Sequence, residues 1–206
     1  MGGLIALVLV SVLPFLYLFT QIGVVGSFTY AFANIAGLVG AVLLLWEFIL
    51  GIKALAKIIA PSPAVFIKLH IILGVWGMFF VLIHPILELF AYGEKITFLF
   101  FPSFSSSIAA HITYGRIAIL LVILVWLTST FLRSSVSYKK WLNIHYFSYP
   151  MMFFVFIHAL DIGSFLRTFI LLKTYWFSLM VLYGTLVLWR IGLVVLKKIT
   201  PTQQHL

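Results

Sequence analysis

HIILGVWGMFFVLIH, running from His70 to His84, is an apolar stretch with an imidazole at each end. HYFSYPMMFFVFIH, from His145 to His158, repeats that design further along the chain. As helices, the two stretches carry their histidines over nearly equal lengths. His70 and His84 are 14 positions apart, about 21 Å of rise, and lie within about 40° of one face. His145 and His158 are 13 positions apart, about 20 Å, but an ideal helix sets them about 140° out of phase. Pro150 lies between them. An interior proline removes a backbone hydrogen bond and clashes with the carbonyl four residues back. The spacing therefore predicts distorted helix near Pro150, enough to re-aim one ring.

Composition sets the solvent for these runs. The 206 residues are 64% hydrophobic and 8% charged, with mean hydropathy +1.23. A soluble domain of this size cannot hide so much apolar surface, so most of it must face lipid. Six runs approach the 20 or so residues needed to cross a bilayer: 4–20, 32–59, 65–92, 111–132, 141–160 and 173–196. The expected fold is one all-α membrane domain of six transmembrane helices over residues 1–206. The first run contains Pro14 but has neither a basic leader nor a small-residue cleavage site, so it reads as an uncleaved helix. Connections are marked by Gly23 and Gly26, by Pro61-Ser62-Pro63, and by 93–110 with Glu94, Lys95, FLFFP and its serines. The tail from Ile199, with His205, is too short to fold.

The net charge is +9, but the cations sit at the ends of apolar runs. That placement reads as membrane topology rather than a nucleic-acid surface. Lys53, Lys57, Lys68, Arg133, Lys139, Lys140, Arg190, Lys197 and Lys198 fall on one side, and Lys95, Arg116, Arg167 and Lys173 on the other. The positive-inside rule puts the larger group, and both termini, in the cytoplasm of a multi-pass cell-membrane protein. The absence of cysteine excludes disulfides, thiolate metal sites and covalent haem attachment. No phosphate loop or nucleophile–base triad occurs.

In that topology the third and fifth helices run in the same direction. His70 and His145 then share an inner level, and His84 and His158 an outer one. Two imidazoles facing each other at each of two depths suit bis-histidine iron, and hence two b-type haems. Two imidazoles per level fall short of the usual zinc set. The alternative is that these are hydrogen-bonded packing or proton-relay residues. Gly74 and Gly77 either leave room for a flat macrocycle or let another helix approach, as Ala33, Gly37 and Ala41 would. Glu47 is either a carboxylate satisfied between helices or a group of the haem environment. Outside, Glu88, His111, Arg116, Asp161 and Arg167 could form an acceptor site, with Arg116 clamping a propionate. Loop solvation and snorkelling explain the same residues. Lys68, Lys139 and Lys140 serve topology, or meet haem propionates or an acidic partner. Trp76, Phe79, Phe80, Met151, Met152 and Phe153 lie between the levels, as tunnelling route or packing.

The two histidine spacings, the six runs and YGRIAILLVILVWLTSTFLR followed by WLNIHYFSYPMMFFVFIH resemble the ferric-reductase-like transmembrane family. That family includes ferric reductases and the membrane domains of NADPH oxidases. Gly115, Arg116, Ala118, Thr128, Ser129, Trp141, His145, Tyr149 and His158 resemble its bacterial branch, which includes the haem-binding subunit of a periplasmic methionine sulfoxide reductase. The resemblance implies two b-type haems and transmembrane electron flow. Two departures qualify it. Family oxidases carry a flavin and nicotinamide domain, whereas no G-x-G-x-x-G occurs in these residues. The expected donor is therefore a separate flavoprotein dehydrogenase or quinol. Superoxide-forming members have a further histidine where this chain has Glu88, which leaves a metal, oxygen or a protein open as acceptor. The expected function is a membrane electron conduit of ferric-reductase type. An electron-delivery subunit for an external reductase is the second reading, and a non-redox scaffold or transporter the third.

Overall fold

The computed structural model describes residues 2–21, 26–59 and 62–199. Gly23, Pro61 and the tail with His205 lie outside them. The described residues are helical, with no strand among them. The helices are α1 (Gly2–Leu16), α2 (Phe28–Gly51), α3 (Lys53–Ile59), α4 (Pro63–Tyr92), α5 (Ser107–Thr130), α6 (Tyr138–His145), α7 (Ser148–Ile162), α8 (Ser164–Thr168) and α9 (Ile170–Ile199). Short 3-10 turns occupy Tyr17–Gln21 and Ile96–Leu99.

Local chemistry explains the boundaries. Ser27, Ser62 and Ser106 cap α2, α4 and α5, each side-chain oxygen accepting from an amide three residues on. Pro63 follows Ser62 at the first helical position, where its missing N–H costs nothing. Gly93 ends α4 in the left-handed conformation, at φ 67°, which glycine adopts without strain.

Two of the expected runs are broken. Residues 32–59 do not form one helix: Ile52 is extended, at φ −88° and ψ 101°, and separates α2 from α3. Residues 141–160 divide at Tyr146 and Phe147, both near ψ −14°. The amides of Phe147 and Tyr149 reach back three residues, to the Ile144 and Tyr146 carbonyls. Pro150 supplies no amide for the Tyr146 carbonyl, and its ring would press on that oxygen in a regular helix. The distortion expected near Pro150 is therefore present. A 3-10 residue advances about 120° instead of about 100°. A few such steps turn His145 toward the face of His158.

Among the described residues, four helices are long and apolar enough to cross a membrane, at Phe28–Leu50, Pro63–Tyr92, Ser107–Thr130 and Ile170–Leu196. The chain is an all-α, multi-pass membrane protein. α2 is its buried centre, with Ala33, Ala41 and Leu50 at most 2% exposed. It packs along α4, where Gly40 receives Val81 and Gly77 receives Leu44. α5 packs along α7, while α4 and α7 make scarcely any backbone approach to each other. α9 joins the second group through Trp176, whose Nε1–H donates to the Phe156 carbonyl at 3.3 Å.

Candidate cofactor site between two helix pairs

The histidines face one another between α4 on one side and α6–α7 on the other. At the level expected to be the outer one, the ring centres of His84 and His158 are 6.1 Å apart. At the inner level those of His70 and His145 are 6.3 Å apart. The structure thus brings together the two pairs expected from the sequence.

The outer rings are held from behind by backbone. His84 Nδ1–H donates to the Ala33 carbonyl at 2.8 Å, and His158 Nδ1–H donates to the His111 carbonyl at 2.8 Å. A carbonyl only accepts, so each neutral ring carries its proton on Nδ1 and keeps the lone pair on Nε2. In both cases a glycine follows the accepting residue by four, on the same helix face: Gly37 after Ala33, and Gly115 after His111. A Cβ on Gly37 would lie 3.0 Å from the His84 ring, and one on Gly115 2.5 Å from the His158 ring. The bare backbone at these glycines lets an imidazole lie flat on a helix. This repeated device escaped the sequence reading, which took Gly37 for helix packing alone. Its signal was a glycine four after each acceptor, recognisable only once the acceptor is known.

The inner pair is held by side chains. Ser129 Oγ is 3.3 Å from His145 Nδ1, and Trp141 stacks on His145 at 4.9 Å and 26°. Phe66 stacks on His70 at 5.8 Å and 17°. Glu47 reaches from α2 to within 3.5 Å of His70 Nε2, so it is an inter-helix carboxylate that also borders the inner pair. Gly74 is what admits it, since a Cβ there would lie 2.8 Å from Glu47 Oε1. Gly74 and Gly77 therefore face α2, as the packing reading required, and not the space between the histidines.

The other expected groups separate. His111 Nε2 pairs with Asp161 at 2.5 Å. Glu88 accepts from Asn34 Nδ2 at 3.0 Å and lies 4.0 Å from His84 Nδ1. Arg116 is buried, bonds to the Phe101 carbonyl and covers the Phe98 ring at 4.2 Å. It anchors the FLFFP connection, which accounts for its place in the helix. Met151 and Met152 are core residues, whereas Trp76, Phe79 and Phe153 are about half exposed.

The donor set can be tested against iron chemistry. A metal–imidazole bond is about 2 Å and the ring centre lies about 1 Å further, so two imidazoles on one metal have centres about 6 Å apart. Both pairs meet that separation. Among the described residues no three His, Cys, Asp or Glu converge, so a protein-only metal cage has no ligand set. The His84 and His158 imidazoles, with Nδ1 engaged by carbonyls, suit a metal whose remaining ligands come from a macrocycle; in the other pair His145 Nδ1 lies near Ser129, whereas His70 has Nε2 near Glu47 and a buried, unpartnered Nδ1.

A family model described as ferric reductase like transmembrane component matches residues 36–157, from α2 into α7. The match includes His70, His84 and His145 and stops one residue short of His158. No curated protein and no solved structure matches the chain. Since the matched residues make up more than half of the chain, it belongs to the ferric reductase-like transmembrane component family.

Proposed function

We propose that the protein is a di-haem electron conduit, the membrane component of a ferric reductase-like oxidoreductase. Its single domain crosses the cell membrane six times with both termini in the cytoplasm. The two shorter crossings are α1 with its 3-10 extension, and α6 with α7. His70 and His145 hold the inner b-type haem, and His84 and His158 the outer one. The observation that carries this reading is the double pairing, with ring centres 6.3 Å and 6.1 Å apart.

When bound, six-coordinate haem supplies one-electron storage without an open position for substrate. The chain does the rest. The Ala33 and His111 carbonyls orient the outer rings and keep their Nε2 lone pairs free. Ser129, Trp141, Phe66 and Glu47 confine the inner rings. Electrons pass from the cytoplasmic side through the inner level to the outer one. The donor is a separate flavoprotein or quinol, and the external acceptor is a ferric chelate, oxygen or a protein.

Purified protein reduced with dithionite should give b-type absorption bands, with two haems per chain by pyridine haemochromogen assay. A preparation refolded or expressed with excess haem that still lacks those bands would sink the reading. Adding a flavin reductase and a ferric chelate then asks whether the chain suffices for metal reduction.

A further inference from the structure

We propose that Tyr138 and Trp141 are the electron-uptake relay, joining a reduced flavin at the membrane surface to the inner histidine His145. This deepens the proposed function and rests on it. Tyr138, Trp141 and His145 are spaced by three and four on α6, so they share one helix face. Their rings form a continuous ladder. Tyr138 and Trp141 are 5.8 Å apart at 31°, and Trp141 and His145 are 4.9 Å apart at 26°. The outer end is open, Tyr138 being 56% exposed.

Arg133 lies over both rungs, with its guanidinium carbon 4.7 Å from the Trp141 ring centre and 5.4 Å from that of Tyr138. Arg133, Lys139 and Lys140 are exposed around the ladder. The four acidic residues of the chain, Glu47, Glu88, Glu94 and Asp161, belong to other segments. A planar aromatic ring bearing a phosphate meets both features, by stacking on Tyr138 and by pairing with these cations.

Trp141 makes a poor simple anchor. An interfacial tryptophan turns its N–H toward water or headgroups. Here Nε1 is buried without a hydrogen-bond partner, which is an unfavourable arrangement. The ring is kept against His145 in spite of that. The transfer balances simply: the reduced flavin loses one electron and releases one proton to water. A ferric haem iron held by His70 and His145 would take up that electron and become ferrous.

The test uses the full-length protein in lipid nanodiscs, with reduced flavin mononucleotide as donor. Trp141→Leu should slow inner-haem reduction, measured per haem retained, by at least about tenfold, about 1.4 kcal/mol of barrier. Trp141→Phe should restore most of the rate. Tyr138→Leu and Arg133→Gln should slow it too, and should weaken quenching of flavin fluorescence by haem-free protein. Wild-type rates in Trp141→Leu would overturn the relay. If Trp141→Leu loses haem, Tyr138→Leu decides, and a wild-type rate there overturns the proposal. Wild-type protein without b-type bands overturns both this inference and the proposed function. Wild-type bands with unaffected variants overturn the relay alone.

Discussion

His84 and His158 meet with ring centres 6.1 Å apart, each fastened by its Nδ1 to a helix carbonyl. The carbonyls belong to Ala33 of α2 and His111 of α5, so four helices converge on one pair of rings. A neutral ring that donates through Nδ1 keeps Nε2 unprotonated. That arrangement gives this pair of rings a fixed geometry.

His84→Ala should halve the haem content and leave the inner haem spectrum intact. The pyridine haemochromogen assay measures the first and low-temperature absorption the second. Unchanged stoichiometry would reject the pairing of His84 with His158.

Gly115→Ala should damage the outer level selectively. The new Cβ would lie 2.5 Å from the His158 ring, and that ring is tied to the His111 carbonyl. Gly184→Ala is the control, since nothing lies within 4 Å of a Cβ there. It should be neutral or stabilising by up to about 1 kcal/mol through helix propensity. Haem content and thermal melting compare the two.

Glu47→Ala should alter the inner haem and spare the outer. The carboxylate is 3.5 Å from His70 Nε2, at the inner pair. Gly74→Ala should reproduce the effect in part, since its Cβ would displace the same carboxylate. Potentiometric titration of the two haems reads the result. A shift confined to the outer haem would contradict the assignment.

Tyr183→Phe should cost about 1 kcal/mol of stability, the value of one ordinary hydrogen bond. Tyr183 Oη–H donates at 2.6 Å to the Tyr149 carbonyl, next to the broken turn that aims His145. Unfolding in mixed micelles measures it. Equal stability of the two proteins would mean that the break is held by Pro150 alone.

His111→Ala should leave the outer haem in place, because it is the backbone of His111 that holds His158. The lost pairing with Asp161 should cost little, since that carboxylate is 58% exposed and screened by water. Haem content of the variant is the measurement.

How much of this was legible without coordinates differs by residue. The membrane class followed from composition, because apolar surface on this scale has only lipid to face. The pairing of His70 with His145 and of His84 with His158 followed from matched spacing on two helices. The distortion in the second histidine helix followed from proline's missing N–H. The break at Ile52 was only weakly marked, since residues 32–59 carry no proline and Gly51 beside the break is one of three glycines in a mostly apolar run.

By themselves, then, the residues determined solvent, helix content and the spacing of four imidazoles along their helices, all properties of short local runs. Tertiary structure decided what stands behind each ring: the carbonyls of Ala33 and His111, the carboxylate of Glu47, the indole of Trp141. It also decided that Gly74 meets α2 while Gly115 meets a histidine. The physical reason is that periodicity states which residues share a face, and only the packing of one helix on another states what that face touches.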